Sequence, residues 1–327
     1  MSLEFRRAGG VAAAESASAL LRAAWPSPAL HYTPEYLAWQ FSFPAALPAV
    51  AVMAYDGEQP AGFCAFTPRR FRAGSQTSDG GIVSFVAVHP DARRRGVAAA
   101  LYRELLAALA PGGFPILTFA IENSAGLHAL RNAYPAAGFQ MADAGRYPVY
   151  GAMVKPSPAA GPWQAEAGEA DAAGYAWWRR VMDGCQANPS VVWNDPTPEQ
   201  FAHYGRDPRP RRFVRLLHRD SGEAGAAWVL RQTFVGARGL ETVTTVESVA
   251  LPRPDPDAFA PLLQLALSLW PQQGPCVIQT TNPGPIEPPA LRQAGLRQTG
   301  IPFAAFFCGV RLPESWSAAT STSMEIT

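Results

Sequence analysis

The chain has 327 residues and a formal net charge of +1. Because the charges nearly balance, no overall electrostatic field attracts nucleic acid or an anionic membrane. A hydrophobic content of 48% with only 16% charged residues excludes an intrinsically disordered chain. The length predicts two packed domains of ordinary size.

The four cysteines lie far apart and form no Cys-x-x-Cys or Cys/His cluster; they are Cys64, Cys185, Cys276 and Cys308. We therefore expect neither a metal site nor a disulfide framework. No apolar run reaches the roughly 18 residues that cross a bilayer, and no apolar segment follows a basic N-terminus. These features predict a cytoplasmic protein without a membrane partner.

The first half predicts alternating helices and strands. Proline is favoured in the first turn of a helix, so Thr33-Pro34-Glu35 indicates a helix start. Val97, Leu101, Leu105 and Leu109 recur every four residues and mark the buried face of another helix. The remaining predictions are helices at 12–24 and 124–133 and strands at 49–55, 61–66, 82–88 and 116–121.

The same order of elements recurs after a proline-rich segment at 155–162, which we interpret as a linker. The second half predicts strands at 213–217, 225–231, 242–251, 276–280 and 303–310 and helices along 259–270 and 289–294. This recurrence predicts a tandem repeat of one α/β unit. The expected domains are 1–154 and 163–312, followed by a disordered tail at 313–327.

The segment 82–110 predicts an anion site, because an apolar strand leads through a turn and Arg93-Arg94-Arg95-Gly96 into a helix. Unpaired N–H groups and the helix dipole favour an anion at a helix N-terminus. Gly96 has no Cβ, so a phosphate can approach the backbone, and arginines donate charge-assisted hydrogen bonds. The arginines could instead form a solvated face or a nucleic-acid patch, but positive charge there opposes the dipole unless an anion compensates it.

The second half lacks this turn. Its strand ends at Leu251, and the following residues include Asp255 and Asp257 but no glycine. Prolines in this segment remove N–H donors, and the carboxylates would repel a phosphate and cap a helix instead. We therefore predict that only the first half binds a phosphorylated ligand.

The pattern Val86-x-Val88-x-Pro90-x-x-Arg93-x-x-Gly96-x-Ala98 after a strand resembles the acyl-CoA motif of the GCN5-related N-acetyltransferase (GNAT) superfamily. The resemblance covers 49–150 well and 213–310 only by the order of elements. It implies an α/β fold with two tandem GNAT-like domains, each a splayed mixed sheet flanked by helices. The second domain would be degenerate.

In the fold that this resemblance implies, acetyl-CoA is the co-substrate. Its pantetheine arm would lie where the strands 82–88 and 116–121 separate and would pair with the strand backbone. Its diphosphate would meet the N–H groups of the arginine turn. The expected cofactor-binding residues are Val86, Ala87, Val88, Arg93, Arg94, Arg95, Gly96, Val97, Ala98, Ala99 and Asn123.

The resemblance also implies that Tyr134, four residues before Gly138-Phe139, is the general acid for the CoA thiolate. Pro135 departs from the family pattern because it disfavours a helical conformation at the residue before it. The alternative is a packed surface tyrosine.

An amine of pKa about 10.4 must lose a proton before it attacks, so a general base is needed. Glu122 at the end of a strand is our candidate; the alternative is a carboxylate at a helix start. Asp79 and His89 are weaker candidates in loops. Ser84 occupies the strand position where GNAT relatives often carry a carboxylate, and Glu247 holds the equivalent position in the second repeat.

The function implied is an N-acyltransferase that moves an acetyl group from acetyl-CoA to a small-molecule amine by direct attack, without a metal. The second domain would shape the acceptor cleft or form a homodimer interface. A non-catalytic acyl-CoA-binding regulatory module remains the alternative. We favour core and inter-domain packing over an acceptor pocket for the aromatic residues Tyr32, Tyr36, Trp39, Phe41, Trp177 and Trp178.

Overall fold

A computed structural model describes residues 3–25, 29–154, 161–185, 190–237, 239–253, 255–270, 276–280, 288–312, 316, 319 and 321–323. The described strands form a single mixed sheet with helices packed on its faces. The helices are α1 (Ala14–Ala24), α2 (Pro34–Phe41), α3 (Val97–Leu109), α4 (Ala125–Ala136), α5 (Ala172–Cys185), α6 (Pro198–Tyr204), α7 (Phe259–Ser268) and α8 (Pro288–Gln293). The strands are β1 (Glu4–Gly9), β2 (Ala29–Leu30), β3 (Val50–Asp56), β4 (Gln59–Ala73), β5 (Gln76–Val88), β6 (Ile116–Ile121), β7 (Gln140–Val154), β8 (Trp163–Gly168), β9 (Val191–Asn194), β10 (Arg211–His218), β11 (Ala224–Gly236), β12 (Gly239–Ala250), β13 (Cys276–Thr280), β14 (Arg297–Gly309) and β15 (Ser321–Ser323).

Local sequence explains the elements that flank the site. Thr33 caps α2 by accepting the Tyr36 backbone N–H at 3.2 Å, and Pro34 occupies the first turn as expected. The Asp56-Gly57 turn joins β3 to β4 with Gly57 at φ +66°. Strands β4 and β5 extend beyond their predicted limits because a second turn, at Gly74, continues their pairing.

The two halves exchange their last strands. β14 comes from the end of the second half but lies between β6 and β7, pairing with both of these first-half strands. β7 closes the first half and pairs on its other side with β13 of the second half. The described strands therefore form one continuous sheet in the order β1-β3-β4-β5-β6-β14-β7-β13-β12-β11-β10-β8. The division at 155–162 stays a prediction, and its residues 155–160 lie outside the described part of the chain. The expected mixed sheet flanked by helices is confirmed, and the exchange joins the sheets of the two halves into one.

The expected splay is present next to the predicted anion turn. β5 pairs with β6 in parallel only from Gly81 to Val83, and the two strands separate beyond Val83. A β-bulge follows at once, and its central residue, Phe85, has φ +58°. We call the gap between β5 and β6 beyond Val83 and Thr118 the first splay.

The second half repeats this geometry. β12 pairs with β13 from Thr244 to Val246, and the register of β12 then shifts at a bulge. Ser248 lies at this bulge with φ +51°, so it corresponds to Phe85 of the first half. The repeat inferred from the order of elements is thus reproduced in the backbone, and Glu247 corresponds to Ser84.

A shared aromatic core joins the halves on one face of the sheet. It combines α1 and α2 with α5, α6 and the neighbouring strands. Five of the six aromatic residues discussed above are buried there and Trp177 packs partly buried against them; the five are Tyr32, Tyr36, Trp39, Phe41 and Trp178. This confirms the packing interpretation. The short strand β2 also pairs with β11, so the connection between α1 and α2 lies on the second half.

The expectation of a disordered tail is wrong for its described residues. Trp316 is only 1% exposed. Its ring centroid lies 5.2 Å from that of Phe71 and 5.1 Å from that of Phe307. Ser321–Ser323 pairs with β9 in parallel. Burial of a large aromatic side chain orders a segment that composition alone would leave free.

Replacing Trp316 with Ala should lower the free energy of unfolding by about 3–5 kcal/mol, because the aromatic side chain leaves a cavity between two strands. Denaturant unfolding measures this loss. Leu240→Ala is the control, since Leu240 is 65% exposed and its loss should cost less than about 0.5 kcal/mol. Equal stability of the two variants would show that the tail does not pack.

Candidate functional site

The turn between β5 and α3 leaves backbone N–H groups free. A 3-10 helix at Pro90–Ala92 follows the strand, and α3 begins after Gly96. Arg94 and Gly96 both adopt left-handed conformations, with φ of +61° and +75°. No side chain of the described residues caps α3, and its first turn contains no acidic residue. The arrangement therefore presents uncapped N–H groups at the positive end of a helix, as the sequence predicts.

The three arginines of the turn have different roles. Arg93 donates a hydrogen bond to the Ala24 carbonyl oxygen at the end of α1. Arg95 forms an ion pair with Asp56 at 2.6 Å. Arg94 is exposed and has no hydrogen bond or ion pair with any described residue. Arg93 and Arg95 thus hold the turn in place, whereas Arg94 makes no such contact with the described residues.

Gly96 is required by conformation. A Cβ at this position would meet no atom of the described residues within 4 Å. Its positive φ nevertheless disfavours every other L-residue, and a side chain would fill the space above the free N–H groups. The adjacent residues Val97, Ala98 and Ala99 form the first turn of α3.

The first splay gives an open strand edge beside this turn. Ala87 pairs with Phe63, and Val88 pairs with Gly62, on the β4 side. On the other side, the pairing of β5 with β6 stops at Val83. The backbone from Val86 to Val88 can therefore pair with an extended arm in place of a strand.

Tyr134 lies in the core beneath the splay. It is fully buried in α4, and its ring lies 5.8 Å from the rings of Tyr102 and Phe139. The alternative of a surface tyrosine is therefore wrong. Pro135 is accommodated within the helix, which extends to Ala136.

The Tyr134 hydroxyl points toward the start of the splay. Its oxygen and the Thr118 hydroxyl are buried and have no hydrogen-bond partner among the described residues. Thr118 is the last β6 residue paired with β5. Burial raises the pKa of Tyr134 well above its ordinary value, and the nearby Thr118 hydroxyl acts in the opposite direction.

Glu122 and Asn123 form the turn after β6. The Glu122 carboxylate pairs with Arg146 of β7 at 2.5 Å. Asn123 is exposed with φ +58°. Ser124, and not Glu122, caps α4 by accepting the Leu127 N–H at 3.1 Å. The segment therefore forms the helix start that the alternative for Glu122 expected, with Ser124 as the capping residue.

The other candidates for the base are placed less well. Asp79 is exposed and lies opposite Arg70, near the end of β5 that is remote from the splay. The His89 ring lies 3.6 Å from the exposed Asp91 carboxylate. Ser84 is half-buried at the start of the splay but offers only a hydroxyl.

The second half closes the corresponding turn with its own side chains. Its 3-10 helix, Pro256–Ala258, passes directly into α7 at Phe259, with no counterpart of Arg93–Gly96 between them. The Asp255 carboxylate accepts the Asp257 N–H at 2.9 Å and the Trp163 indole N–H at 2.7 Å. Asp255 thus caps its 3-10 helix as His89 caps that of the first half, and the arginine turn has no counterpart.

The second half also neutralises its strand carboxylate. Glu247 is fully buried and pairs with Arg211 at 3.1 Å. Sequence reasoning recognised the position of Glu247 but missed this partner, because Arg211 lies on a different strand.

No helix in the described part of the chain is long and apolar enough to cross a membrane. The described residues also contain no group of three or more His, Cys, Asp or Glu side chains arranged to hold a metal ion. The cytoplasmic location stays a prediction.

Residues 14–139 match the model of the acetyltransferase (GNAT) family. The match includes the strand, the arginine turn, α3, the splay and Tyr134. The match identifies a GNAT domain in the first half of the chain. No curated protein sequence matches it.

Solved structures show that the GNAT fold recurs in both halves. Saccharomyces cerevisiae N-myristoyltransferase with bound myristoyl-CoA is similar over 99% of this chain and 81% of its own, with a TM-score of 0.67 and 12% identity. A tandem GNAT protein from the clavulanic acid biosynthesis pathway is similar over 96% of this chain and 100% of its own, with a TM-score of 0.62 and 14% identity. A GCN5-related N-acetyltransferase from Anabaena variabilis is similar over 94% of this chain and 73% of its own, with a TM-score of 0.54 and 12% identity.

Replacing Gly96 with Val should weaken CoA binding at least about tenfold, because the side chain blocks the N–H groups and strains the turn. Titration calorimetry with CoA measures the effect. Gly222→Val is the matched control, since Gly222 also has a positive φ, +68°, and open space around its Cα, but lies in a hairpin of the second half. Equal affinity of both variants would contradict the assignment of the phosphate site.

Proposed function

We propose that this GNAT protein is an acyl-CoA-dependent N-acyltransferase that transfers an acetyl group to a small-molecule amine. The observation that carries the proposal is the uncapped helix N-terminus at Gly96 beside an open strand edge. The turn suits a diphosphate, and the edge suits the amide-bearing arm of CoA. The fold is similar to that of an N-myristoyltransferase with bound myristoyl-CoA. This similarity supports transfer of an acyl group to an amine.

The residues that would hold CoA fit the group. Arg94 and the N–H groups from Arg94 to Ala99 would bind its diphosphate, and the backbone from Val86 to Val88 would pair with its pantetheine arm. When bound, CoA supplies an activated acyl thioester. A backbone N–H near Val88 would donate to the carbonyl oxygen as negative charge develops there during attack by the amine.

Tyr134 would assist departure of the CoA sulfur. Its raised pKa keeps the phenol protonated, and a thiol has a pKa of only about 8.5. Complete proton transfer from Tyr134 to the sulfur is therefore unfavourable. We propose that its hydroxyl donates a hydrogen bond to the leaving sulfur and retains its proton.

Glu122 would receive the proton of the amine through water. Its carboxylate is 19% exposed at the end of β6 and is held in one orientation by Arg146. Ser84 offers no carboxylate in the splay, so the strand provides no general base there. A water molecule that passes the amine proton to Glu122, in the turn after β6, would take this role. Asn123 in the same turn would contact the arm of CoA.

The α1–α2 connection pairs with β11 of the second half, and Tyr32 of this connection contacts Phe85 at the splay. This contact supports a role of the second half in shaping an acceptor cleft, in preference to a homodimer interface. A closed cleft between two halves suits a small amine better than an extended protein chain.

A non-catalytic acyl-CoA-binding module is the second candidate. The ion pair that engages Glu122 and the hydroxyl at Ser84 favour it, because neither provides a free base at the splay. Thiol release from acetyl-CoA with a panel of small amines separates the two. Release above the rate of hydrolysis supports the enzyme, and tight CoA binding with no release supports the binding module.

Replacing Tyr134 with Phe should reduce kcat at least about tenfold and leave CoA affinity unchanged, because the variant loses only the hydroxyl that faces the sulfur. Since the pKa of Tyr134 is raised, the wild type should keep this donor at a pH where an exposed tyrosine, of pKa about 10, ionises. Tyr102→Phe is the control, as its ring lies 5.8 Å from Tyr134 in the same core. Matching kcat in both variants would remove Tyr134 from the mechanism.

Replacing Glu122 with Gln should lower kcat about tenfold at neutral pH and less at high pH, where more of the amine is already neutral. A pH–rate profile with one amine measures this difference. Asp143→Asn is the control, since Asp143 is an exposed carboxylate on β7. A uniform loss across the pH range would indicate a structural role for the Glu122–Arg146 pair instead.

A further inference from the structure

A small cavity lies where the first half meets the second. It has a volume of about 200 Å³ and lies between the α1–α2 connection and the β10–β11 side of the second half. Its lining residues are Leu30, His31, Thr33, Tyr36, Pro208, Arg209, Pro210, Arg231 and Thr233. Two of these are arginines, and none is an acidic residue.

Both arginines have N–H groups left without a partner. The Nε atom of Arg231 and the Nη1 atom of Arg209 are buried and make no hydrogen bond with any described residue. A buried donor without a partner destabilises the protein, and more so when it is charged. The wall of the cavity therefore carries donors whose hydrogen bonds a ligand could complete.

The charges around the cavity leave a positive excess. Asp207 accepts two hydrogen bonds from Arg209, at 3.0 and 2.8 Å, and Glu247 pairs with Arg211 at 3.1 Å. These two carboxylates balance two arginines. Arg231 forms no ion pair with an acidic side chain among the described residues, so its positive charge is uncompensated.

The side chain of Tyr32 lies between the cavity and the first splay. The Tyr32 ring stands edge-on to Phe85, the bulge residue of β5, with centroids 5.5 Å apart. At its other side Tyr32 approaches Tyr36, with ring centroids 6.1 Å apart. The Tyr36 ring in turn carries the Arg209 guanidinium at 4.0 Å from its centroid. The cavity is thus separated from the splay by the Tyr32 ring and is linked to it through direct ring contacts.

We propose that this cavity binds a carboxylate of the acceptor, so that the substrate is a small amine carrying a carboxylate at the end remote from the reacting nitrogen. This inference rests on the proposed function and adds the class of acceptor. Arg231 supplies the uncompensated charge, and the free Nη1 of Arg209 supplies a second donor. Such charge-assisted hydrogen bonds give the site its preference for an anion.

The test compares linear ω-amino acids, from glycine to 6-aminohexanoate, with n-alkylamines and with the methyl esters of the same amino acids. With acetyl-CoA, at least one amino acid should exceed its matched alkylamine and ester in kcat/KM by about tenfold or more, the effect of one charged hydrogen bond. Equal rates for all three classes would overturn the carboxylate site and leave the proposed function standing.

The matched variants are Arg231→Gln and Arg206→Gln. Arg231→Gln should raise KM for the preferred amino acid about tenfold with little change in kcat and leave the ester unaffected. Arg206 is exposed in the same half, so its loss changes the net charge equally and should leave both substrates unaffected. An equal effect of both variants would reduce the preference to a general electrostatic one and overturn the site.

Titration calorimetry of the CoA-saturated protein with the preferred amino acid gives a readout independent of turnover. Wild-type protein should bind it, and Arg231→Gln should bind it about tenfold more weakly. If thiol release fails with every amine while CoA binds, the proposed function fails and the acceptor site fails with it. Thiol release with amines but no carboxylate preference overturns the acceptor site alone.

Discussion

The account depends on the unsatisfied N-terminus of α3. A helix start leaves N–H groups without intrahelical partners, and most helices satisfy them with a capping side chain. Here Gly96 replaces such a side chain, and the left-handed conformations of Arg94 and Gly96 turn the backbone N–H groups outward. The second half has no such turn, because its 3-10 helix passes directly into α7 and Asp255 caps that 3-10 helix. Among the described residues of the two halves, only the first half therefore presents this uncapped turn.

The exchange of β7 and β14 explains why the second half persists without that turn. Each closing strand completes the sheet of the other half, so neither half has a complete sheet alone. The aromatic core between α1, α2, α5 and α6 joins the halves again on one face. This coupling holds the α1–α2 connection against β11 and fixes the position of the cavity at Arg209 and Arg231 relative to the splay. The second half would therefore contribute to the proposed acceptor site by position.

Local patterns in the sequence predicted most of what surrounds the anion site. The apolar run of β5, the leucines of α3 and the Asp56-Gly57 turn each specify their conformation within a few residues. β7 was not predicted, because residues 140–149 mix glycine, proline and charge and show no alternation. The exchange was not predictable either, since the partner of an edge strand is decided by contacts remote in sequence.

The sequence also predicted only part of the proposed CoA site. The motif identified the turn, but it did not distinguish the paired Arg93 and Arg95 from the free Arg94. Their partners, Ala24 and Asp56, lie far away in the sequence. The burial of Tyr134 and the partners of Glu122 and Glu247 depend on the same kind of remote contact. The acceptor cavity gave no local signal, because residues from both halves line it.

The most direct measurement is a crystal structure of the protein soaked with coenzyme A. The account predicts one bound molecule per chain, with its diphosphate on the N–H groups beside Gly96 and its pantetheine arm along β5. An empty turn at Gly96, or a diphosphate bound at the Asp255 turn of the second half, would contradict it.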